Sequence, residues 1–112
     1  MNLKDFVDNT IEVIREDGIA SYLPTLIFPD THEVVAIEGI PDDVDHRQAI
    51  QKVILRSGHQ EREFFFGVQS GRGLITTGHF RSGRPTEFME IAETADGHTT
   101  AIIETCEWWK IS

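Results

Sequence analysis

The chain has 112 residues and a single cysteine, so we expect one domain over residues 1–112 whose core needs no disulfide. Nineteen acidic side chains against ten basic ones give a net charge of −9, which disfavours binding to nucleic acid or to anionic membranes. No apolar run is long enough to span a bilayer, and acids stand where a signal peptide would be apolar. We therefore expect a cytoplasmic protein.

The first predicted element is an amphipathic helix over residues 3–16. Its apolar residues recur at helical spacing and occupy one arc, while charged and amide side chains fill the opposite arc. Asn2 is the expected N-cap and Gly18 the expected end of the helix.

Two short β-type runs follow, from Pro24 to Phe28 and from Glu33 to Glu38. The turn residues between them, Pro29 to His32, predict a hairpin. The second run is apolar on both faces, which favours a position inside a sheet.

A second helix is predicted to begin near Asp45 and to end before Ser57-Gly58. Asp45 and Gln48 have the spacing of a capping box, and the order of acids before bases matches the helix dipole. His46 falls in the first turn at the edge of the core, where a half-exposed histidine is expected.

The remainder reads as β-structure, with strands over residues 61–69, 86–94 and 98–111. Strands joined by turns pair antiparallel. The predicted fold is therefore α+β in the order α-β-β-α-β-β-β: a single antiparallel sheet of about five strands with both helices packed on one face.

Residues Arg84-Pro85-Thr86-Glu87 lead into the penultimate predicted strand. This entry and the element order resemble those of small uncharacterised bacterial and phage proteins that have a helix, a hairpin, a second helix and a terminal meander. Their entry is Arg-x-Glu-like, whereas the spacing here is Arg-x-x-Glu. The resemblance implies a fold and no chemistry, since such proteins have no established activity.

The stretch 70–85 is rich in arginine and glycine and contains no acid. Glycines let backbone N–H groups approach an anion, and arginines bind phosphate or carboxylate bidentately. The predicted anion-binding residues are Arg72, His79, Arg81 and Arg84. Two alternatives stay open: the arginines pair with an acidic face of the same or a second subunit, or the stretch is a solvated hairpin connection with a short inner strand at Leu74 to Thr77.

Other chemistry is weakly indicated, and we predict no catalytic residue, metal or cofactor. His59, Glu61 and Glu63 alternate along a predicted strand and could hold a divalent ion, but a solvated strand face is the favoured interpretation. Cys106 stands between acids, which disfavour the reactive thiolate.

Trp108 and Trp109 are neighbours on the last predicted strand and therefore face opposite sides of the sheet. With both helices on one face, one tryptophan would lie on an open face, where Phe65 or Met89 could join it. Open aromatic faces often become interfaces, which predicts a homodimer formed face to face or by edge pairing. The alternative that stays open is that residues 69–86 fold over this tryptophan.

The sequence thus favours a non-enzymatic interaction module that self-associates and binds a protein partner. The alternative is a small-anion binder or enzyme that uses the stretch 70–85. A third hypothesis, a mimic of nucleic acid built on the acids of the first helix, rests on charge alone.

Overall fold

The computed structural model describes residues 1–56 and 62–104. The elements, in chain order, are α1 (Leu3–Asp17), a 3₁₀ turn (Ile19–Ser21), β1 (Thr25–Phe28), β2 (Glu33–Ala36), α2 (His46–Arg56), β3 (Phe64–Gly71), β4 (Leu74–Arg81), β5 (Arg84–Thr94) and β6 (Gly97–Ile103). Neither helix in these ranges has the length and apolar character needed to cross a membrane.

The ends of α1 follow the predicted capping, whereas the start of α2 shows an Asp45–Arg47 contact in place of the predicted Asp45–Gln48 capping box. The Asn2 side chain accepts a hydrogen bond from the Asp5 backbone N–H at 2.9 Å, and the Asp5 carboxylate accepts one from the Asn2 N–H at 3.1 Å. Gly18 ends α1 with a φ of 85°, a conformation that favours glycine. Asp45 precedes α2, and its carboxylate accepts the Arg47 N–H at 2.8 Å.

The six strands form one antiparallel sheet in the order β2-β1-β3-β4-β5-β6. The α+β class and the single antiparallel sheet are therefore confirmed. The extra strand is β4, which runs through the stretch where the sequence predicted only a short strand at Leu74 to Thr77. The run that contains β2 was predicted to lie inside the sheet, but among the described strands β2 pairs only with β1 and forms an edge, with Val34 61% exposed.

The two helices cover opposite faces of the sheet, which corrects the prediction that they share one face. One core joins α2 to the strand residues of one face (the α2 face): Leu26, Phe28, Ile50, Ile54, Phe64, Phe66, Val68, Phe80 and Phe88. The other joins α1 and the following 3₁₀ turn to the opposite face (the α1 face): Leu3, Phe6, Val7, Ile14, Ile19, Tyr22, Phe65, Ile75 and Ile91.

The phenylalanines of β3 explain this placement. Successive side chains of a strand point to opposite faces, so Phe64 and Phe66 reach the α2 face while Phe65 reaches the α1 face. All three are almost completely buried. A strand that is apolar on both sides needs cover on both sides. Each face of the sheet carries a helix, which corrects the prediction of one open sheet face.

Two glycines let large groups lie directly on the sheet. A Cβ at Gly67 would collide with the Tyr22 hydroxyl on the α1 face, and a Cβ at Gly78 would collide with the Phe66 ring on the α2 face. Phe88 also closes over Gly78, at 3.2 Å from that Cβ position. Both faces are therefore packed to the backbone at the centre of the sheet.

A bulge modifies the pairing of β4 with β5. His79 pairs with Glu87 and Phe80 pairs with Pro85, so Thr86 is an extra residue on β5. Its hydroxyl donates a hydrogen bond to the His79 carbonyl oxygen at 3.3 Å.

We expect Gly78→Ala to lower the free energy of unfolding by about 1–3 kcal/mol, because the added methyl group overpacks the core against a buried aromatic ring. Urea denaturation followed by circular dichroism measures this change. Gly71→Ala is the matched control, since a Cβ there meets Leu74 at an ordinary 3.4 Å. Equal midpoints for the two variants would contradict the packing described at Gly78.

Candidate functional site

The stretch 70–85 is a strand between two tight turns, not a loop. Arg72 and Gly73 connect β3 to β4, with Gly73 at a φ of 69°. Ser82 and Gly83 connect β4 to β5, and both have positive φ (57° and 82°), as a two-residue type I′ hairpin turn requires. The glycines at 73 and 83 thus serve chain reversal.

The predicted anion-binding residues consequently separate into two places. Arg72 lies at one end of β4, whereas Arg81 and Arg84 lie at the other, and an eight-residue strand is roughly 24 Å long. A single anion cannot contact all four predicted residues. This corrects the prediction of one site over the whole stretch.

His79 lies on the α1 face between two carboxylates. Its Nε2 is 3.0 Å from a Glu63 oxygen, and its Nδ1 is 3.9 Å from a Glu87 oxygen. The imidazole stacks on the Phe65 ring, with centroids 4.3 Å apart and planes 18° from parallel. The same Glu63 oxygen is 3.9 Å from Arg81 Nε. The carboxylates of Glu63 and Glu87 beside the imidazole repel an anion, so His79 is unsuited to the anion-binding role predicted for it.

The described residues contain no group of three or more histidine, cysteine or acidic side chains arranged to hold a metal ion. His59 and Glu61, two of the three residues considered as possible ligands, lie outside the described residues. Cys106 also lies outside them.

The predicted interface residues differ in their surroundings. Phe65 is only 1% exposed and stacks on Phe6 of α1 with a centroid distance of 6.1 Å, so it is core and not interface. Met89 is half-buried against the same core. Trp108 and Trp109 lie outside the described residues.

The sheet extends beyond its helices at β6. Six strands span about 24 Å between the two edges, whereas a helix is about 10 Å across. On the α1 face this leaves a groove between α1 and β6, in two adjoining parts of about 570 and 610 Å³. Met89 and Ile102 line both parts, and Ile102 is 84% exposed, so β6 presents an apolar side chain at the edge of the sheet.

A second cleft, of about 250 Å³, lies between the first turn of α2 and the β3–β4 turn. It brings Arg72 together with His46 and Ser70, which the sequence had not grouped. Arg47 forms a bidentate pair with Asp45, at 2.6 Å from Nη2 to Oδ2 and 3.1 Å from Nε to Oδ1. The hydrogen bonds from Arg47 hold the pKa of the Asp45 carboxyl below its usual value.

The Asp45 pair predicts a pH-dependent stability. Because the pKa of Asp45 is lower in the folded chain, its contribution is present above about pH 4 and is lost as the pH falls through the folded value. Asp45→Asn keeps a capping oxygen but removes the charge. Both partners are about a third exposed, so solvent screening limits the loss to less than about 1 kcal/mol, or a few degrees in Tm.

Thermal melts at neutral and at strongly acidic pH test this prediction. The wild-type chain should melt higher than Asp45→Asn at neutral pH, and the difference should disappear in acid. A difference that stays constant across the pH range would show that the ion pair does not stabilise α2.

Comparisons of this chain with protein-family models, with curated proteins and with solved structures gave no significant match. The resemblance to small bacterial and phage proteins therefore stays a prediction.

Proposed function

We propose that this protein is a non-enzymatic, cytoplasmic interaction module that self-associates by antiparallel pairing of β6 with β6 of a second copy. The observation that supports the proposal is the composition of β6. It is an edge among the described strands, and in a chain of net charge −9 it contains no acid, lysine, arginine or proline.

Unprotected edges are unusual. An edge strand presents unpaired N–H and C=O groups, and proteins normally guard such edges with charges, prolines, bulges or short length. β6 has seven residues, reads GHTTAII, and pairs with β5 without a register shift. Its β-branched residues favour an extended backbone, so β6 is well suited to accept another strand.

The opposite edge is protected by comparison. β2 has four residues, and it begins with Glu33. A four-residue edge that contains an acid gives an added strand few hydrogen bonds and an unfavourable charge, so we assign pairing to β6 alone.

A second copy suits this edge because two-fold antiparallel pairing places the same surface on both sides. Two chains of net charge −9 repel each other over most of their surfaces. Because β6 contains no acid, two β6 strands can pair without placing two carboxylates opposite each other. Since both sheet faces already carry a helix, edge pairing replaces face-to-face packing as the mode of association.

The alternative function is a small-anion binder or enzyme that uses residues 70–85. It is less well supported because the four side chains predicted to bind the anion lie at opposite ends of β4. The same acidic surface that limits self-association to β6 would suit a protein partner with a basic patch.

We expect Ile102→Lys to convert a dimer into a monomer, because a charged side chain on an edge strand opposes pairing with its own copy. Val34→Lys is the matched control, since Val34 is also an exposed apolar residue on the α1 face but lies on the other edge strand. Each substitution makes the net charge equally less negative. Sedimentation velocity from low to high micromolar concentration distinguishes the two variants.

A wild-type chain that stays monomeric at high micromolar concentration would refute self-association. Equal loss of the dimer in both variants would place the interface away from β6.

We further expect the dimer to tighten as salt is added. The Debye length falls from about 30 Å at 0.01 M to about 8 Å at 0.15 M ionic strength, which screens the repulsion between the two acidic chains. Sedimentation equilibrium at several NaCl concentrations gives the dissociation constant. A dimer that weakens with salt would instead support contacts between the turn arginines of one copy and acids of the other.

A further inference from the structure

Two of the residues that line the cleft between the first turn of α2 and the β3–β4 turn carry an unsatisfied polar atom. His46 Nδ1 and Ser70 Oγ are buried without a hydrogen-bond partner, and both residues line this cleft. In the ranges that the structure describes, no other buried side-chain nitrogen or oxygen lacks a hydrogen-bond partner. Buried polar groups are almost always hydrogen-bonded, so two such atoms in one cleft indicate a missing partner.

The charge of the cleft indicates the sign of that partner. Asp45 and Arg47 neutralise each other through their bidentate pair. Arg72 is exposed at the mouth and forms no ion pair with another described residue, so it leaves one positive charge without compensation. Asp42 and Asp43 precede the helix but do not line the cleft.

We propose that this cleft binds a small oxyanion, a phosphate or carboxylate group. The Arg72 guanidinium supplies charge and hydrogen bonds, the Ser70 hydroxyl donates a second hydrogen bond, and His46 donates a third when its proton is on Nδ1. At about 250 Å³ the cleft is smaller than the pockets that enclose drug-sized ligands, which favours a single anionic group.

The unsatisfied atoms support this site more strongly than the helix end does. The Asp45 carboxylate already accepts the Arg47 N–H, so the start of α2 is capped by the chain itself. The site shares only Arg72 with the anion-binding set predicted from the sequence, and it is independent of self-association through β6.

A titration followed by ¹H–¹⁵N correlation spectra tests the proposal, with inorganic phosphate and acetate as the two probes at constant ionic strength and neutral pH. We expect saturable shifts of the amides of His46, Ser70 and Arg72 with at least one probe. The probe that binds more tightly distinguishes a phosphate from a carboxylate ligand.

Arg72→Ala should weaken this binding by about tenfold or more, since Arg72 is the one charged residue in the described lining of the cleft that lacks an ion-pair partner. Arg84→Ala is the matched control, because Arg84 is likewise an exposed arginine beside a hairpin turn, at the other end of β4. It should leave the affinity unchanged. Absence of saturable shifts with both probes, or equal weakening by both variants, would overturn the proposal.

Ser70→Ala provides a second test, in which stability and anion affinity should change in opposite directions. In the absence of anion it should raise the melting temperature, because it removes a buried hydroxyl that lacks a partner. In the same variant the anion should bind more weakly. A lower melting temperature without anion would mean that the hydroxyl is already satisfied, and the proposal would fail.

Discussion

The alternation of side chains along β3 is the constraint on which the rest of the structure depends. Three consecutive phenylalanines cannot share a face, so burying all of them requires cover on both sides of the sheet. One helix on each side provides it. α1 closes over Phe65, and α2 closes over Phe64 and Phe66. The layering follows from the composition of one central strand.

The position of the two helices also determines which part of the sheet the described residues leave uncovered. With a single helix on each face, the cover is greatest over the central strands and least at the margins, because six strands are wider than one helix. The two margins differ in sequence. β2 is short and contains Glu33, while β6 is longer and contains no acid, lysine or arginine. The surfaces available for association are therefore a consequence of how the core is built.

Much of the fold could be predicted from the residues. Periodicity and capping signals place both helices, and turn residues place the first hairpin close to its position in the structure. The placement of α2 could not be derived from its own pattern, since an amphipathic helix does not reveal which side of a sheet it covers. The signal was in β3, where an uninterrupted apolar run indicates burial on both faces.

The candidate site was harder to predict, because it depends on contacts between distant segments. Glycine and arginine in residues 70–85 suggested a loop, although Ser82-Gly83 is equally the sequence of a tight hairpin turn. Once β4 is extended, Arg72 and Arg84 must lie far apart. The proximity of Ser70 to His46 depends on where α2 begins relative to β3, and a linear pattern does not record that.

The bulge at Thr86 has a consequence for the length of the chain. Thr86 has no partner on β4. The residues on either side of it, Pro85 and Glu87, pair with the consecutive β4 residues Phe80 and His79, as they would in a strand without a bulge. A shorter chain that lacked this residue would keep Pro85 opposite Phe80 and Glu87 opposite His79. At this one position of β5, a single residue can be inserted or deleted without moving the other β5 side chains from one face of the sheet to the other.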